Sequence, residues 1–244
     1  MRSSLGRRRV VPPRAPISRS LTSGKIASCL FLSSLWPEPD SSAAGVRTEA
    51  LLHAFQSWGF DVSYAASSSP KPVYVERLAS RGITTFECGP NREDELRGVL
   101  ESCTPDVVVF DRFFTEEAFS FRVRDLAPGA LRVLDMQDVH SLRRGRQLIV
   151  EKGLKQGMDS GAVMDEALAH VPPATSNDLL RELAAVHRSD LILVCSPVEK
   201  LLLQSYGGET AIESPLQRIG RLLVKKLRLT LSRVRLPSQS QRRS

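Results

Sequence analysis

Apolar and polar positions follow one another in blocks along the chain, and the first complete block runs from Lys25 to Val62. Ile26 to Leu35 is apolar with only small residues interrupting it, the pattern of a strand buried on both faces. Trp36-Pro37-Glu38-Pro39 stops that strand, because the two prolines remove ladder donors and hold the chain extended. Ser41 or Ser42 then offers a helix cap. Val46, Ala50, Leu51, Ala54, Phe55 and Trp58 recur at three- and four-residue spacings, which predicts a helix with that stripe against a sheet. Gly59 suits a left-handed helix end, and Asp61 to Ala66 a second strand. Gly45, in the first helical turn, is expected to leave backbone N–H groups uncovered at the positive end of the helix dipole, an anion seat.

The same grammar repeats downstream. A helix carrying Val75, Leu78 and Ala79 closes at Arg81-Gly82, and Ile83 to Glu87 follows as a strand. Asn91 is expected to cap a helix over Glu93 to Ser102, with Leu96, Val99 and Leu100 inward. Asp106 to Asp111 is a β-branched run bounded by carboxylates, the pattern of a buried parallel strand. Thr115 is expected to cap a helix through Leu126, and Leu131 to Asp135 forms the fifth strand. Ser141 to Ala169 is helical in tendency and rich in charge, loosened by Gly153, Gly157 and Gly161. Ser176 caps a helix to Arg188, Asp190 to Cys195 is the last strand, and Ser196-Pro197 opens a final helix through Tyr206. Strands alternating with helices in this way predict an α/β, Rossmann-like doubly wound fold. Its parallel sheet should run in the order 3-2-1-4-5-6.

Composition changes the picture chiefly at the ends. The 244 residues carry 34 Lys+Arg and 27 Asp+Glu, a formal charge of +7. Seven of the bases fall in residues 1–25 and nine in residues 216–244, with no acid in either stretch. The middle therefore keeps 18 bases against 27 acids, a net −9, which argues against a nucleic-acid-binding face there. Three segments follow: a basic tail or transit peptide at 1–24, one Rossmann-like domain at 25–208, and a basic tail at 209–244. In the last of these, Leu216, Ile219, Leu223 and Leu227 share one helical face and Arg218, Arg221, Lys225 and Arg228 another. A basic amphipathic helix over 216–234 would suit a peripheral membrane or protein contact. The Arg- and Ser-rich start lacks the apolar core of a secretory signal, so the expected location is mitochondrial or cytoplasmic, not secreted. Cys29, Cys88, Cys103 and Cys195 have no short pair spacing and read as buried reduced thiols.

In an open α/β sheet, ligands bind beyond the carboxyl ends of the strands, near the point where the strand order reverses. Four loops meet that description: Ser41 to Arg47, Asp111-Arg112, Asp135 to His140, and Ser196 to Glu199. The third is the most polar for its length, and Asp138 or His140 could position a hydroxyl there by hydrogen bonding. Asp111-Arg112 reads either as a charged pair beside the first loop or as a structural ion pair at a strand end. Glu199 follows Ser196-Pro197, which is also what a helix cap with proline at the first position would give. No metal-ligand spacing is present.

Strand, long loop with Ser41-Ser42-Ala43-Ala44-Gly45-Val46-Arg47, then amphipathic helix resembles the opening of the acceptor-side Rossmann half of GT-B retaining glycosyltransferases. The resemblance runs from about Lys25 to about Gly208. It implies a nucleotide sugar as donor substrate, a sugar acceptor, and no further cofactor. It assigns Gly45 and Arg47 to the loop that approaches donor phosphates or acceptor, and Ser196 to Glu199 looks like the family's strand 6 to helix junction; Asp111 is a binding candidate from its place beside the first loop. It places Asp138 and His140 where the family sets acidic and histidine residues against the substrates. The family's glutamate pair, separated by seven intervening residues in the donor half, has no counterpart in place: Glu87/Glu95 and Glu93/Glu101 match the spacing in the wrong half. An acceptor-side half would transfer no sugar alone. The alternative is a non-catalytic Rossmann-like module that binds a ligand or partner.

Overall fold

In a computed structural model the described residues are 27–207. The stretches expected to form a disordered N-terminal tail and an amphipathic C-terminal helix lie outside them.

Six parallel strands form one sheet in the order β3-β2-β1-β4-β5-β6. They are β1 (Ser28–Ser33), β2 (Asp61–Ala66), β3 (Thr84–Glu87), β4 (Val107–Asp111), β5 (Leu131–Asp135) and β6 (Leu191–Leu193). This is the Rossmann-like order that the alternating pattern predicts, with β1 and β4 side by side at its centre. Every residue of β1 is buried because the strand pairs with a neighbour on each edge and carries side chains into both layers.

Helices cover both faces. Leu30, Leu32, Val108, Phe110, Leu134 and Ile192 form one apolar layer with α3 (Glu93–Cys103), α4 (Phe113–Leu126), α7 (Asn177–Arg188) and α8 (Pro197–Gly207). The alternate residues point the other way. Phe31 lies edge-on to Phe55 of α1 (Ala43–Ser57), with ring centroids 5.5 Å apart, and stacks on Tyr64 at 6.5 Å. The remaining helices are α2 (Pro72–Ser80), α5 (His140–Lys155) and α6 (Ser160–Ala169).

Several local expectations need correction. The inward stripe of α1 is Gly45, Thr48, Leu52 and Phe55, rotated from the predicted one, and Val46 and Trp58 face solvent. Asn91 does not cap α3. It sits at φ +62 and its side chain accepts from Arg122 instead. Thr115 lies inside α4, whose cap position is Arg112. β6 ends at Leu193, so Cys195 is exposed rather than buried, because its N–H goes to the Glu199 carboxylate instead of a ladder. Cys29 and Cys88 are buried as expected, and burial pushes the Cys88 thiol up to about 12. The loosely helical 141–169 segment resolves into two packed helices. Gly153 lies under Val163 and Gly145 under the His170 ring, with no room for a Cβ at either, so these glycines serve close contact rather than looseness. Gly157, at φ +65, makes the turn between them.

Candidate functional site

The carboxyl ends of β1, β4 and β5 carry a buried polar network. Ser33 Oγ donates to Asp111 Oδ2 at 2.6 Å, and Gln137 Nε2 donates to Asp111 Oδ1 at 2.9 Å and to Thr48 Oγ1 at 3.1 Å. One amide thus ties the end of β4 to α1. Asp111 and Asp135 are registered partners on adjacent strands, so two buried carboxylates lie side by side. Arg47 answers the second: its Nε and Nη2 donate to Asp135 at 2.6–3.2 Å, a two-pronged pair that holds α1 to β5. Burial pushes the Asp135 carboxyl up, and the Arg47 guanidinium pulls it back down only in part.

Two turns beside this network hold residues in unusual conformations. Asp138 N–H closes a three-residue turn onto the Met136 carbonyl at 2.7 Å, with Gln137 at φ +61 in its centre. That turn aims the Gln137 side chain back at Asp111. Arg112 has φ 72 and ψ 158, a region that is essentially glycine's own and costs about 1–3 kcal/mol for another residue. Its N–H donates to the Asp135 carbonyl at 2.7 Å, and its carbonyl accepts the first turn of α4. Its guanidinium lies 3.6 Å from Asp111 and over the Phe114 ring.

The loop from Asp135 continues into a second cluster at the start of α5. His140 Nδ1 is 3.2 Å from Asp138 Oδ1 and 3.3 Å from the Asp138 carbonyl. Both neighbours are acceptors, so Nδ1 carries the proton and Nε2 is left as the basic nitrogen. The ring stands edge-on to Phe113 and Phe114, with centroids at 5.3 and 5.8 Å. Burial lowers the pKa of His140; Asp138 raises it, and Arg143 and Arg112 lower it further. Arg143 Nε binds the other Asp138 oxygen at 2.9 Å. Glu182, fully buried on α7, accepts the His140 N–H at 2.5 Å and the Ser141 N–H at 3.2 Å.

The residues singled out in the sequence separate here. Arg47, Asp111, Asp138 and His140 lie on one contiguous run of contacts along the carboxyl edge, together with Glu199, whose two oxygens accept from Val139 N (3.2 Å) and Cys195 N (3.1 Å). Gly45 is different and corrects the open-anion-seat expectation. Its N–H donates to Ser42 Oγ at 3.0 Å, and the space a side chain would need is filled by the Glu38 backbone. The glycine is there so that the loop can cross the helix.

Ser33, Thr48 and Glu182 escaped the sequence reading as site residues, while Arg112, Asp135 and Gln137 lay in loops it named without being given a role of their own in ligand binding. Glu182 did leave a signal: it sits among Leu179, Ala185 and Val186 on the apolar stripe of α7, where a carboxylate has to find partners. Thr48 is likewise on the inward stripe of α1. Nothing in the sequence marks the positive φ of Gln137 or Arg112.

No protein-family model matches the chain, and no curated protein matches it. Among solved structures the chain is similar to a sucrose-phosphate synthase from Thermosynechococcus elongatus, at 11% identity and TM-score 0.48, over 77% of this chain and 47% of that one. It is also similar to Phytolacca americana UGT2, solved with UDP-2fluoro-glucose and pterostilbene, at 14% identity and TM-score 0.41, over 76% and 52%. A short-chain dehydrogenase/reductase from Veillonella parvula, solved with NADP, follows at 11% identity and TM-score 0.38, over 68% of each chain. The chain spans about half the length of the first two. Glycosyltransferases and dehydrogenases thus stand together among the similar structures, and the Rossmann-like fold rests on the strand order and parallel pairing themselves.

Proposed function

We propose that residues 25–208 form the acceptor-side half of a GT-B retaining glycosyltransferase-like protein, a domain that takes part in moving a sugar from a nucleotide sugar to an acceptor. The observation that carries this reading is the polar network at the carboxyl ends of β1, β4 and β5, at the reversal of the strand order, which ends in a histidine supported by Asp138. In this reading Asp138 holds the His140 ring, and Nε2 accepts the proton of an incoming hydroxyl or positions it by hydrogen bonding. Arg47, Asp111 and Glu199 fix the three loops around it. Gly45 contributes the loop crossing at Glu38 rather than an anion contact.

Sugar transfer needs donor groups on both walls of a cleft, so these residues alone are expected to be inactive and a donor-binding domain must complete them. Calorimetry with UDP-glucose and GDP-mannose, paired with a transfer assay, tests this on the 244-residue chain and on His140→Ala. Saturable binding that weakens in the variant, with transfer at background, supports the reading. Robust transfer by the chain alone, or binding indifferent to His140, overturns it.

A second reading is a non-catalytic binding module. It draws support from the way the candidate groups already bind one another: among the described residues the side-chain hydrogen bonds of Arg47 go to Asp135, and both Glu199 oxygens accept from backbone amides. The same proposal keeps the Arg-rich 1–24 segment as an address to mitochondria, or a cytoplasmic tail, and 216–234 as a surface for a membrane or protein. Imaging of the 1–244 and 25–244 forms tests the first point.

A further inference from the structure

Two carboxylates meet His140 from different parts of the chain. Asp138 comes from the preceding loop and touches Nδ1 at 3.2 Å. Glu182 comes from α7, 42 residues away, and one of its oxygens takes the His140 N–H at 2.5 Å while lying 3.9 Å from Nδ1. The other takes the Ser141 N–H at 3.2 Å. The first two amides of α5 are therefore covered by an anion from another helix. The cap position, Val139, has no side chain able to do this, and its own N–H goes to Glu199.

An ordinary helix cap sits at the surface and serves only the helix. Glu182 is fully buried, although an isolated buried carboxylate is expensive, so its partners have to compensate for lost water. Burial pushes its carboxyl up, against the Ser141 and His140 groups that pull it down. Such a group is poorly explained by stability alone, since a serine or aspartate at position 139 would cap the helix without burying a charge.

We infer that Glu182 is a positioning residue for His140: its carboxylate pins the start of α5, holds the imidazole between Phe113 and Phe114, and sets how readily the ring takes up a proton. This rests on the reading of His140 as the site's proton-handling group, though its test does not depend on sugar transfer. The charged groups facing the ring are Asp138 from the β5–α5 loop, Arg143 from its own helix, Arg112 from the start of α4, and Glu182 from α7. Glu182 and Asp138 both favour the imidazolium. Removing either charge therefore lowers the pKa of the ring.

The test is a histidine-selective NMR titration of the full 244-residue chain, with Glu182→Gln and Asp138→Asn beside the wild type. Glutamine keeps the shape and one acceptor but loses the charge. The His140 pKa is expected to fall by about one pH unit in Glu182→Gln, a tenfold weaker hold on the proton, and by a similar amount in Asp138→Asn. A loss of stability in Glu182→Gln with the His140 pKa unmoved would reduce Glu182 to a helix cap and overturn the inference. Should the variant fail to fold, the wild type decides. The His140 ring protons, with Nδ1 3.9 Å from Glu182, are expected to titrate in two steps, one for Glu182 and one for the ring itself, and ring protons that do not respond to Glu182 overturn the inference. A chain that passes this titration but binds no nucleotide sugar would sink the proposed function and leave the positioning role intact.

Discussion

Helices α1 and α5 both begin at the carboxyl edge of the sheet, and they satisfy their first amides in opposite ways. α1 is capped from within: Ser42 Oγ accepts the Gly45 N–H, and Ser41 and Ser42 N–H groups fold back onto the Glu38 carbonyl. α5 has no local cap and borrows a carboxylate from α7. A local cap is cheap and indifferent to the rest of the molecule. A borrowed, buried one makes the start of the helix depend on the packing of another helix, and so it can hold His140 in a defined place. The comparison separates a helix start that is built to be closed from one that is built to position a side chain.

The harshest way to break the comparison is Gly45→Val, which drives a branched side chain into the Glu38 peptide. The start of α1 cannot close over it, and the expected loss exceeds about 3 kcal/mol. Urea unfolding measures it; a loss below about 1 kcal/mol would mean that the loop moves aside freely. Glu182→Ala comes next. It strips both amides of their acceptor and leaves a small cavity, and a cost of about 2–4 kcal/mol is expected by thermal and urea unfolding. Ser42→Ala removes one exposed cap, at about 1 kcal/mol. Equal costs for Ser42→Ala and Glu182→Ala would erase the distinction drawn between the two helix starts.

The smallest effect expected is a pH dependence. Burial holds the His140 pKa below its ordinary value, so between the two values the unfolded chain binds more protons than the folded one. Stability from this group is complete above about pH 6.5 and is lost as pH falls through the folded value. Glu182 has the opposite sign. Its raised folded pKa gives a contribution present below the ordinary carboxylate range and lost as pH rises through the folded value. Urea titrations at pH 7.5 and 5.5 should therefore show a smaller acid-side loss in His140→Gln than in the wild type. An unchanged loss would place the titrating group elsewhere.

The fold was legible because its strands are buried on both faces and its helices are amphipathic; the runs at Asp61 to Ala66 and Leu131 to Asp135 became strands with those bounds. Ser176 was legible as a cap and Ser42 as one of two neighbouring candidates, since a cap acts within four residues, whereas Asn91 and Thr115 were expected as caps and do not serve as such. The Asp135 to His140 loop was legible as polar, and its use of Asp138 against His140 lies within two residues. What escaped depends on partners far apart in sequence: Gln137 with Thr48 is a separation of 89 residues, and Glu182 with His140 one of 42. Spacing patterns reach along one element. They carry no information about which two elements the sheet will bring together.

Arg112 sets stability and use against each other at a single position. Its backbone lies where glycine is at ease and arginine is not, so a library of position-112 variants selected only for resistance to heat should fill with glycine. The same library selected for ligand capture should keep arginine if the guanidinium beside Asp111 and Phe114 takes part in capture. The ratio of the two residues in the paired selections would turn one backbone angle into a readout of whether that side chain is worth its strain.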